Sequence, residues 1–156
     1  MIDYRRKTVI KGQQELRCGY TTGTCAAAAA KAAAVTLLSG EICRDVSLQL
    51  PGGEHIILET EFLECSENCV KCGMIKDAGD DPDITNGLLI CAAVEKTEGE
   101  TILIDGGMGV GRVTKPGLDQ PVGAAAINSV PRKMIHEAVE DRSEERRVGK
   151  ECCLPC

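Results

Sequence analysis

The chain has 156 residues, and its 24 acidic side chains outnumber its 18 basic ones, so its formal net charge is −6. With 43% hydrophobic residues it is able to bury a core, which suits a single domain. One Phe, two Tyr and no Trp leave few rings for base stacking, and the acidic balance opposes phosphate binding. The composition therefore argues against a nucleic-acid partner and implies no membrane surface.

Ten cysteines would suggest a disulfide scaffold in a short secreted chain. The N-terminal sequence MIDYRRKTVIKGQQELRCGY, however, has neither the apolar segment nor the small-residue cleavage site of an export signal. The sequence also lacks the run of about 20 apolar residues that would cross a membrane. We therefore expect reduced thiols and a cytoplasmic protein.

The first predicted element is a helix over residues 22–40. Its sequence TGTCAAAAAKAAAVTLLSG is dominated by alanine, the strongest helix former. Thr22 or Thr24 is suited to cap the first amides, and Gly40 is suited to the left-handed position that ends a helix. The small alanine side chains would let another backbone approach this helix closely.

A β-hairpin is predicted next. Apolar residues alternate with polar ones over residues 46–50, a Pro-Gly-Gly turn follows at 51–53, and residues 55–63 return as the second strand. Residues 64–87 are rich in Cys, Asp and Gly, so we expect them to form an irregular loop that lines the surface.

Two further strands are predicted over residues 88–96 and 100–105, joined by a short turn. The glycine-rich segment 106–118 leads to a second helix within residues 125–139, where Ser129 is suited to cap the first turn. Strands that follow strands, with helices at the ends, favour an α+β fold in which a hairpin-rich sheet has flanking helices. The apolar face of the second helix comprises Val130, Met134, Ile135 and Val139.

The sequence CSENCVKC spaces Cys65, Cys69 and Cys72 as CxxxCxxC, the arrangement in which radical enzymes hold a four-iron cluster that binds S-adenosylmethionine. Here a lysine precedes the last cysteine, where an aromatic residue usually shields the cluster. Zinc held by the same thiolates with Cys43 or Cys91 is a second alternative. Free, partly buried thiols that act as small hydrophobic groups are the favoured interpretation, so no metal site is assigned.

Residues 76–87, KDAGDDPDITNG, concentrate four carboxylates that repel one another unless amides, a cation or a ligand hydroxyl offset their charge. A calcium loop is excluded, because Asn86 and Ala92 stand where its glycine and its bidentate glutamate belong. Asx turns and helix capping explain the cluster as well as contacts with a ligand do. Both interpretations stay open for Asp77, Asp80, Asp81 and Asp83.

The segment DGGMGVGRVTKPGL has the two glycines of a phosphate loop, Gly106 and Gly111. Arg112 and Val113 replace the Lys and the Ser or Thr that bind phosphate and magnesium. A dinucleotide-binding fingerprint fails as well, because Pro116 interrupts the helix that it requires. Two interpretations are left, namely a structural turn or a backbone that approaches an anionic or planar ligand closely.

Four motifs together resemble those of one protein family. The motifs LRCGYTTGTCAAAAAKAA, KDAGDDPDITNG, GGMGVGRVTKPGL and AAINSVPRKMI follow one another between about Leu16 and Val139. Their order and spacing resemble the N-terminal half of the cobalt-precorrin-5B C1-methyltransferases of the CbiD type. The resemblance implies a permuted ribosomal S5 domain 2-like fold for residues 1–140, and it implies that the second, α/β domain of the family is missing.

The resemblance also implies an activity. The family transfers a methyl group from S-adenosylmethionine to ring carbon C1 of a cobalt-containing tetrapyrrole in anaerobic cobalamin biosynthesis. S-adenosylmethionine would be the cofactor, with much of its site in the missing half, so the truncated chain is expected to be inactive alone. The alternatives are a corrinoid-binding module without catalysis and an iron–sulfur enzyme built on the three cysteines. Homo-oligomerisation is left open.

Site residues follow from the matching motif positions. The implied catalytic residues are Asp77, Asp80 and Asp81, which would contact ligand hydroxyls or handle a proton. Threonines at a helix N-terminus would dock a carboxylate, glycines would form a wall of close approach, and two basic residues would neutralise substrate carboxylates. The implied substrate-binding residues are Thr21, Thr22, Thr24, Lys76, Asp83, Thr85, Gly107, Gly109, Gly111, Arg112, Lys115 and Asn128.

The resemblance stops after Asp141. Residues 141–156, DRSEERRVGKECCLPC, hold four basic and four acidic side chains, so the whole net charge belongs to residues 1–140. This segment shows no helical or strand periodicity and contains three of the ten cysteines. We therefore expect a tail that is unrelated to the domain, either disordered or an artefact of a foreign junction or frameshift.

Overall fold

The computed structural model of the chain describes residues 7–148, apart from the side chains of residues 62, 63 and 142–148. Within this range the chain forms two helices and three antiparallel sheets, which confirms the predicted α+β class. In chain order the elements are β1 (Thr8–Lys11), β2 (Gln14–Arg17), α1 (Thr22–Ser39), β3 (Asp45–Gln49), β4 (His55–Glu59), β5 (Phe62–Cys65), β6 (Cys69–Ile75), β7 (Leu89–Glu95) and α2 (Ser129–Val148).

The predicted first helix is confirmed as α1. Thr21 caps it, not Thr22 or Thr24, because the Oγ1 atom of Thr21 accepts a hydrogen bond of 3.1 Å from the backbone N–H of Thr24. Gly40 ends it at φ 78°, the left-handed conformation that glycine adopts without strain. The alanines of α1 are almost completely buried, as shown by Ala27, Ala28, Ala29, Ala30, Ala32, Ala33 and Ala34.

Helix α1 lies at the centre of the core. Because consecutive alanines along it are buried, other elements must cover it on more than one side, and it packs against α2, β6, β7 and β3. Strand β6 presents Val70, Cys72 and Met74 to this core, and the β3–β4 hairpin adds four more buried apolar side chains. Those four are Val46, Leu48, Ile56 and Leu58.

The hairpin of β3 and β4 confirms the predicted turn, although its second strand ends at Glu59 and not at residue 63. The prediction of an irregular loop over residues 64–87 is wrong for its first half. There β5 and β6 pair with each other, and β6 also pairs with β7. Val70, Cys72 and Met74 supply the alternating apolar side chains of β6, in a cysteine-rich segment that the sequence analysis predicted as a loop.

Strand β7 confirms the prediction over residues 88–96, but residues 100–105 form no strand. In that segment only alternate residues are partly buried, and the backbone carbonyl of Ile104 accepts a hydrogen bond of 2.8 Å from the Nη1 atom of Arg132. A side chain of α2 therefore takes the contact that a neighbouring strand would have made.

Helix α2 begins at the predicted Ser129, and the carboxylate of Asp119 caps it, accepting from the N–H of Ser129 at 2.5 Å and from its hydroxyl at 2.6 Å. Met134 and Ala138 are buried against α1. Val130 was predicted to lie on the apolar face of this helix, but its side chain is 59% exposed, so that part of the prediction is wrong. The helix continues past the expected boundary at residue 140, and residues 149–156 of the expected tail lie outside the described residues. Neither helix within residues 7–148 is long and apolar enough to cross a membrane.

Candidate functional site

A groove of about 750 Å³ opens beside the N-terminal end of α1. Four parts of the chain line it: the β1–β2 hairpin, the residues that lead into α1, the Asp-rich loop after β6, and the first turns of α2. The threonine-rich start of α1 and the Asp-rich loop are two of the motifs that stand out in the sequence. They are more than 50 positions apart along the chain and meet here.

The two motifs are held together by a close crossing of their backbones. A Cβ atom on Gly19 would lie 1.9 Å from the carbonyl carbon of Ala78, and one on Gly79 would lie 2.3 Å from the carbonyl oxygen of Arg17. Two backbone hydrogen bonds stabilise the crossing. The N–H of Tyr20 donates to the carbonyl of Asp77 at 2.7 Å, and the N–H of Asp80 donates to the carbonyl of Arg17 at 3.1 Å. Only glycine permits this approach, so the crossing fixes the loop against α1.

An ion pair supports the crossing. The guanidinium of Arg17 donates to both carboxylate oxygens of Asp77, at 2.7 and 2.8 Å, and this pairing raises the pKa of Arg17. The same carboxylate accepts from the N–H of Gly79 at 2.9 Å, and the carboxylate of Asp80 accepts from the N–H of Arg17 at 2.7 Å. Asp77, predicted to be catalytic, is thus engaged in holding the loop.

A buried lysine forms the floor of the groove. The side chain of Lys76 is 2% exposed, and its Nζ atom donates to the Oγ1 atoms of Thr22 at 3.0 Å and Thr85 at 2.7 Å and to the carboxylate of Asp83. These hydrogen bonds, from Lys76 first and then from Thr85, hold the pKa of Asp83 well below its usual range. All three N–H groups of Lys76 are therefore used within the protein.

The remaining residues predicted in these two motifs differ in accessibility. Asp80 and Asp81 are exposed and line the groove together with Thr21 and Thr22. Thr24 is 4% exposed and bonded to Thr21, so it has turned away from the opening. The groove thus presents carboxylate oxygens that can accept hydrogen bonds from ligand hydroxyl, amide or ammonium groups.

The glycine-rich segment lies elsewhere, and none of its predicted residues lines the groove. A Cβ atom on Gly107 or Gly109 would face open space, so no wall of close approach forms at these two positions. Arg112 donates to both oxygens of Asp105, at 2.5 and 3.0 Å, and this contact lowers the pKa of Asp105 to about 2. The other predicted residues of this region, exposed and outside the groove, are Gly111, Lys115 and Asn128.

The cysteines of the CxxxCxxC sequence do not form a cluster site. Cys69 and Cys72 are three residues apart on β6, so their side chains point to opposite faces of the sheet, with Cys72 buried against α1. No three His, Cys, Asp or Glu side chains with metal-binding geometry occur in the described part of the chain. The geometry of the donor set therefore disfavours both the iron–sulfur and the zinc alternatives.

Sequence reasoning missed several residues that line the groove, among them Arg17, Lys11 on β1, and Met134 on α2. No periodic or spaced pattern connects Arg17 with its partner 60 positions later. Met134 was predicted to lie on the apolar face of the second helix, and this is confirmed, because its side chain is buried in the core. The same residue also borders the groove.

Comparison with known proteins gives a consistent result. The family model described as CbiD matches residues 9–153. The chain is similar to a cobalt-precorrin-5B C(1)-methyltransferase of Priestia megaterium, at 49% identity over 92% of this chain and 39% of the relative. One of the same name from Ruminiclostridium cellulolyticum shows 51% identity over 87% of this chain and 35% of the relative.

A crystal structure of the cobalamin biosynthesis protein cbiD from Archaeoglobus fulgidus is similar as well, with a TM-score of 0.64 at 29% identity. The match covers 92% of this chain and 45% of that one. The chain thus spans less than half the length of the relatives that it matches, and corresponds to their N-terminal portion. With a family model that matches nearly its whole length, the chain belongs to the CbiD family.

Proposed function

We propose that this chain is the N-terminal part of a cobalt-precorrin-5B C1-methyltransferase, which transfers a methyl group from S-adenosylmethionine to ring carbon C1 of the cobalt-containing tetrapyrrole. The observation that carries the proposal is the groove beside α1, because two of the motifs shared with the family converge there. Relatives that bear this name match the chain at about half of their aligned positions, which supports the same assignment.

Such a methyl transfer needs little covalent help from a protein. It needs alignment of two reactants, exclusion of water and a group that accepts a proton. When bound, S-adenosylmethionine supplies the methyl group on a positively charged sulfur. The exposed carboxylates of Asp80 and Asp81 fit such a molecule, since they can accept hydrogen bonds from ribose hydroxyls or an ammonium group.

The other groove residues are assigned supporting roles. Thr21 and Thr22 stand at the N-terminal end of α1, where the helix dipole favours a ligand carboxylate. Lys76 and Asp77 hold the Asp-rich loop in place, because their polar atoms are bonded to Asp83 and Arg17. Asp80 and Asp81 are then the groups that reach a ligand and are available to accept a proton.

The reaction of the whole protein is assigned to the longer form found in the relatives. We infer that residues 1–140 have the permuted S5 domain 2-like fold, that the family's second domain carries much of the methyl-donor site, and that this chain alone binds ligand without turning it over. Oligomeric state and a cytoplasmic location stay predictions.

The test combines binding with turnover. The chain is titrated with cobalt-precorrin-5B, followed by visible absorbance, and with S-adenosylmethionine, followed by calorimetry. We expect saturable binding of at least one ligand, weakened at least about tenfold in the double variant Asp80→Asn and Asp81→Asn. Asp45→Asn is the matched control, because Asp45 is an exposed carboxylate on β3 outside the groove.

Three outcomes contradict parts of the proposal. Binding of neither ligand, or equal binding by the double variant, refutes the assignment of the groove. Transfer of a labelled methyl group from S-adenosylmethionine to the tetrapyrrole by the chain alone refutes the inference that the chain is inactive without the second domain. Tetrapyrrole binding that never leads to methyl transfer, even with the rest of a relative's chain added, identifies a corrinoid-binding module instead.

A further inference from the structure

The sheet of β5, β6 and β7 is apolar on both of its faces. One face packs against α1. Because side chains alternate along a strand, every second residue of β6 and β7 points away from α1, to the outer face of the sheet. Four exposed apolar residues lie on this outer face and are called the outer patch, namely Ile75 on β6 and Leu89, Cys91 and Ala93 on β7.

The β3–β4 hairpin shows how a solvated sheet face is composed in the same chain. One of the six residues on its outer face is apolar, and those residues are Asp45, Ser47, Gln49, His55, Ile57 and Glu59. Such an alternation of apolar and polar residues is typical of a sheet with one face in water. Strand β7 is instead apolar from Leu89 to Val94 without interruption, as in strands that are covered on both faces. The outer patch therefore has the composition of a covered surface.

The outer patch is continuous and ends beside the groove. A Cβ atom on Gly73 would lie 2.9 Å from the Cδ1 atom of Leu89 and 3.2 Å from the Sγ atom of Cys91, so these two side chains close over the glycine between them. Ile75 and Leu89 are paired at the end of the sheet where the Asp-rich loop leaves and returns. That loop lines the groove, so a molecule that covers the outer patch reaches the neighbourhood of the groove.

We propose that the outer patch is the docking surface for the part of the longer protein that this chain does not include. The choice of occupant follows from length, because the chain spans less than half of the relatives that it matches and more than half of each relative has no counterpart here. A part of that size forms a domain of its own, and an apolar surface stays exposed when two packed domains are separated. The proposal rests on the proposed function, since it takes this chain as one part of a longer enzyme.

Docking at the outer patch gives the added part a role at the groove. Its residues would come to lie next to the Asp-rich loop, where they are able to reach a ligand that Asp80 and Asp81 hold. The remaining surface of the added part is free to carry its own share of the site. The outer patch thus joins the two parts of the enzyme without using any residue of the groove itself.

The test follows the alkylation of Cys91 by iodoacetamide at pH 8, using mass spectrometry. The 156-residue chain is treated with and without the unmatched remainder of the Priestia megaterium relative, added as a separate polypeptide. At saturation the remainder should slow the alkylation of Cys91 at least about fivefold, because a covered thiol is not accessible to the reagent. Cys65 should react as before, since it lies on β5 at the far end of the sheet.

Leu89→Lys and Ile57→Lys are a matched pair of variants. Both residues are 46% exposed and lie on the outer face of a strand, but Ile57 belongs to the β3–β4 hairpin. Leu89→Lys should raise the concentration of remainder that gives half of the protection at least about tenfold. Ile57→Lys should leave that concentration unchanged. Ala93→Lys replaces Leu89→Lys if the latter does not fold.

Four results overturn the proposal. The first is an alkylation rate of Cys91 that the remainder does not change, and the second is equal protection in Leu89→Lys and Ile57→Lys. The third is a dimer of the chain alone, seen by sedimentation and abolished by Leu89→Lys, which assigns the outer patch to a second copy. If the remainder does not fold by itself, residues 1–140 are joined to it in one polypeptide, and a Cys91 that reacts there as fast as in the 156-residue chain is the fourth.

Failure of docking and failure of the proposed function are distinguishable. Binding of the tetrapyrrole and of S-adenosylmethionine to the groove is measured on the chain alone, whereas protection of Cys91 is measured without either ligand. A chain that binds ligand but leaves Cys91 unprotected overturns the docking surface only. A chain whose Cys91 is protected but whose groove binds neither ligand overturns the assignment of the groove only.

Discussion

Replacing Lys76 with methionine tests the most connected buried polar group beside the groove. The substitution keeps the apolar stem and removes the ammonium, which leaves Asp83, Thr22 and Thr85 without their shared donor. Removal of one partner from a fully buried ion pair costs about 3–5 kcal/mol. The Asp83 side chain is 30% exposed, so water will partly replace the lost contact, and we expect a loss of about 2–3 kcal/mol.

The assay is urea unfolding at pH 7, followed by far-ultraviolet circular dichroism. For a chain of this length the loss corresponds to a melting temperature lower by about 5–10 °C. Lys133→Met is the control, because Lys133 and its partner Glu137 are 76% and 61% exposed and their pair should contribute less than about 0.5 kcal/mol. Equal stability of the two variants would show that the buried network does not hold the loop.

The pH dependence gives an independent check. The folded state lowers the pKa of Asp83, so the stabilisation from its ionised form is present above the unfolded pKa of about 3.9 and is lost as the pH falls through the folded value. The advantage of the unmodified chain over Lys76→Met should therefore shrink as the pH is lowered from 5 towards 2. An advantage that stays constant across this range would contradict the ion pair as its source.

Three further predictions concern other parts of the fold. Gly79→Ala should lower the free energy of unfolding by more than about 2 kcal/mol, because the residue has φ 66° and the new Cβ would overlap the carbonyl of Arg17. In the control Gly107→Ala, whose Cβ would face open space, the free energy of unfolding should change by less than about 0.5 kcal/mol. Equal urea midpoints for the two variants would refute the close approach of the backbones at Gly79. Burial raises the pKa of Cys25 to about 11, so mass spectrometry after brief iodoacetamide treatment at pH 8 should find the exposed Cys65 and Cys91 alkylated before Cys25. Modification of Cys25 as early as these two would contradict its burial. In Arg112→Gln, the pKa of Asp105 should rise from about 2 towards its ordinary value without reaching it, because the N–H of Gly106 and the charge of Arg132 still lower it. A titration of the Asp105 carboxyl carbon signal with an unchanged midpoint would show that Arg112 is not the main cause.

Local chemistry made much of the fold predictable. The alanine run between a threonine-rich start and Gly40 predicts α1 to within a residue at each end. The alternation before and after the Pro-Gly-Gly turn likewise predicts the β3–β4 hairpin. Both depend on contacts between residues that are close along the chain, which is the information that a single sequence carries best.

Long-range contacts could not be read in the same way. The sequence singled out the Asp-rich loop but gave no sign that Asp77 binds Arg17, because that pairing depends on how β2 and the loop after β6 are brought together. The loop predicted over residues 64–87 failed for a different reason. Cys72 shares the buried face of β6 with Val70 and Met74 and acts there as an apolar side chain, whereas the spacing of the cysteines suggested metal ligands.

Helix α1 acts as a spacer of fixed thickness. Its seven buried alanines have no χ rotamers, so the separation between α2 and the sheet is set by the helix backbone and a layer of methyl groups. A larger side chain at these positions would push the layers apart, and no smaller one that favours a helix exists. The separation between α2 and the sheet is therefore insensitive to rotamer changes within α1, and the loops around the helix end fold against a frame of constant width.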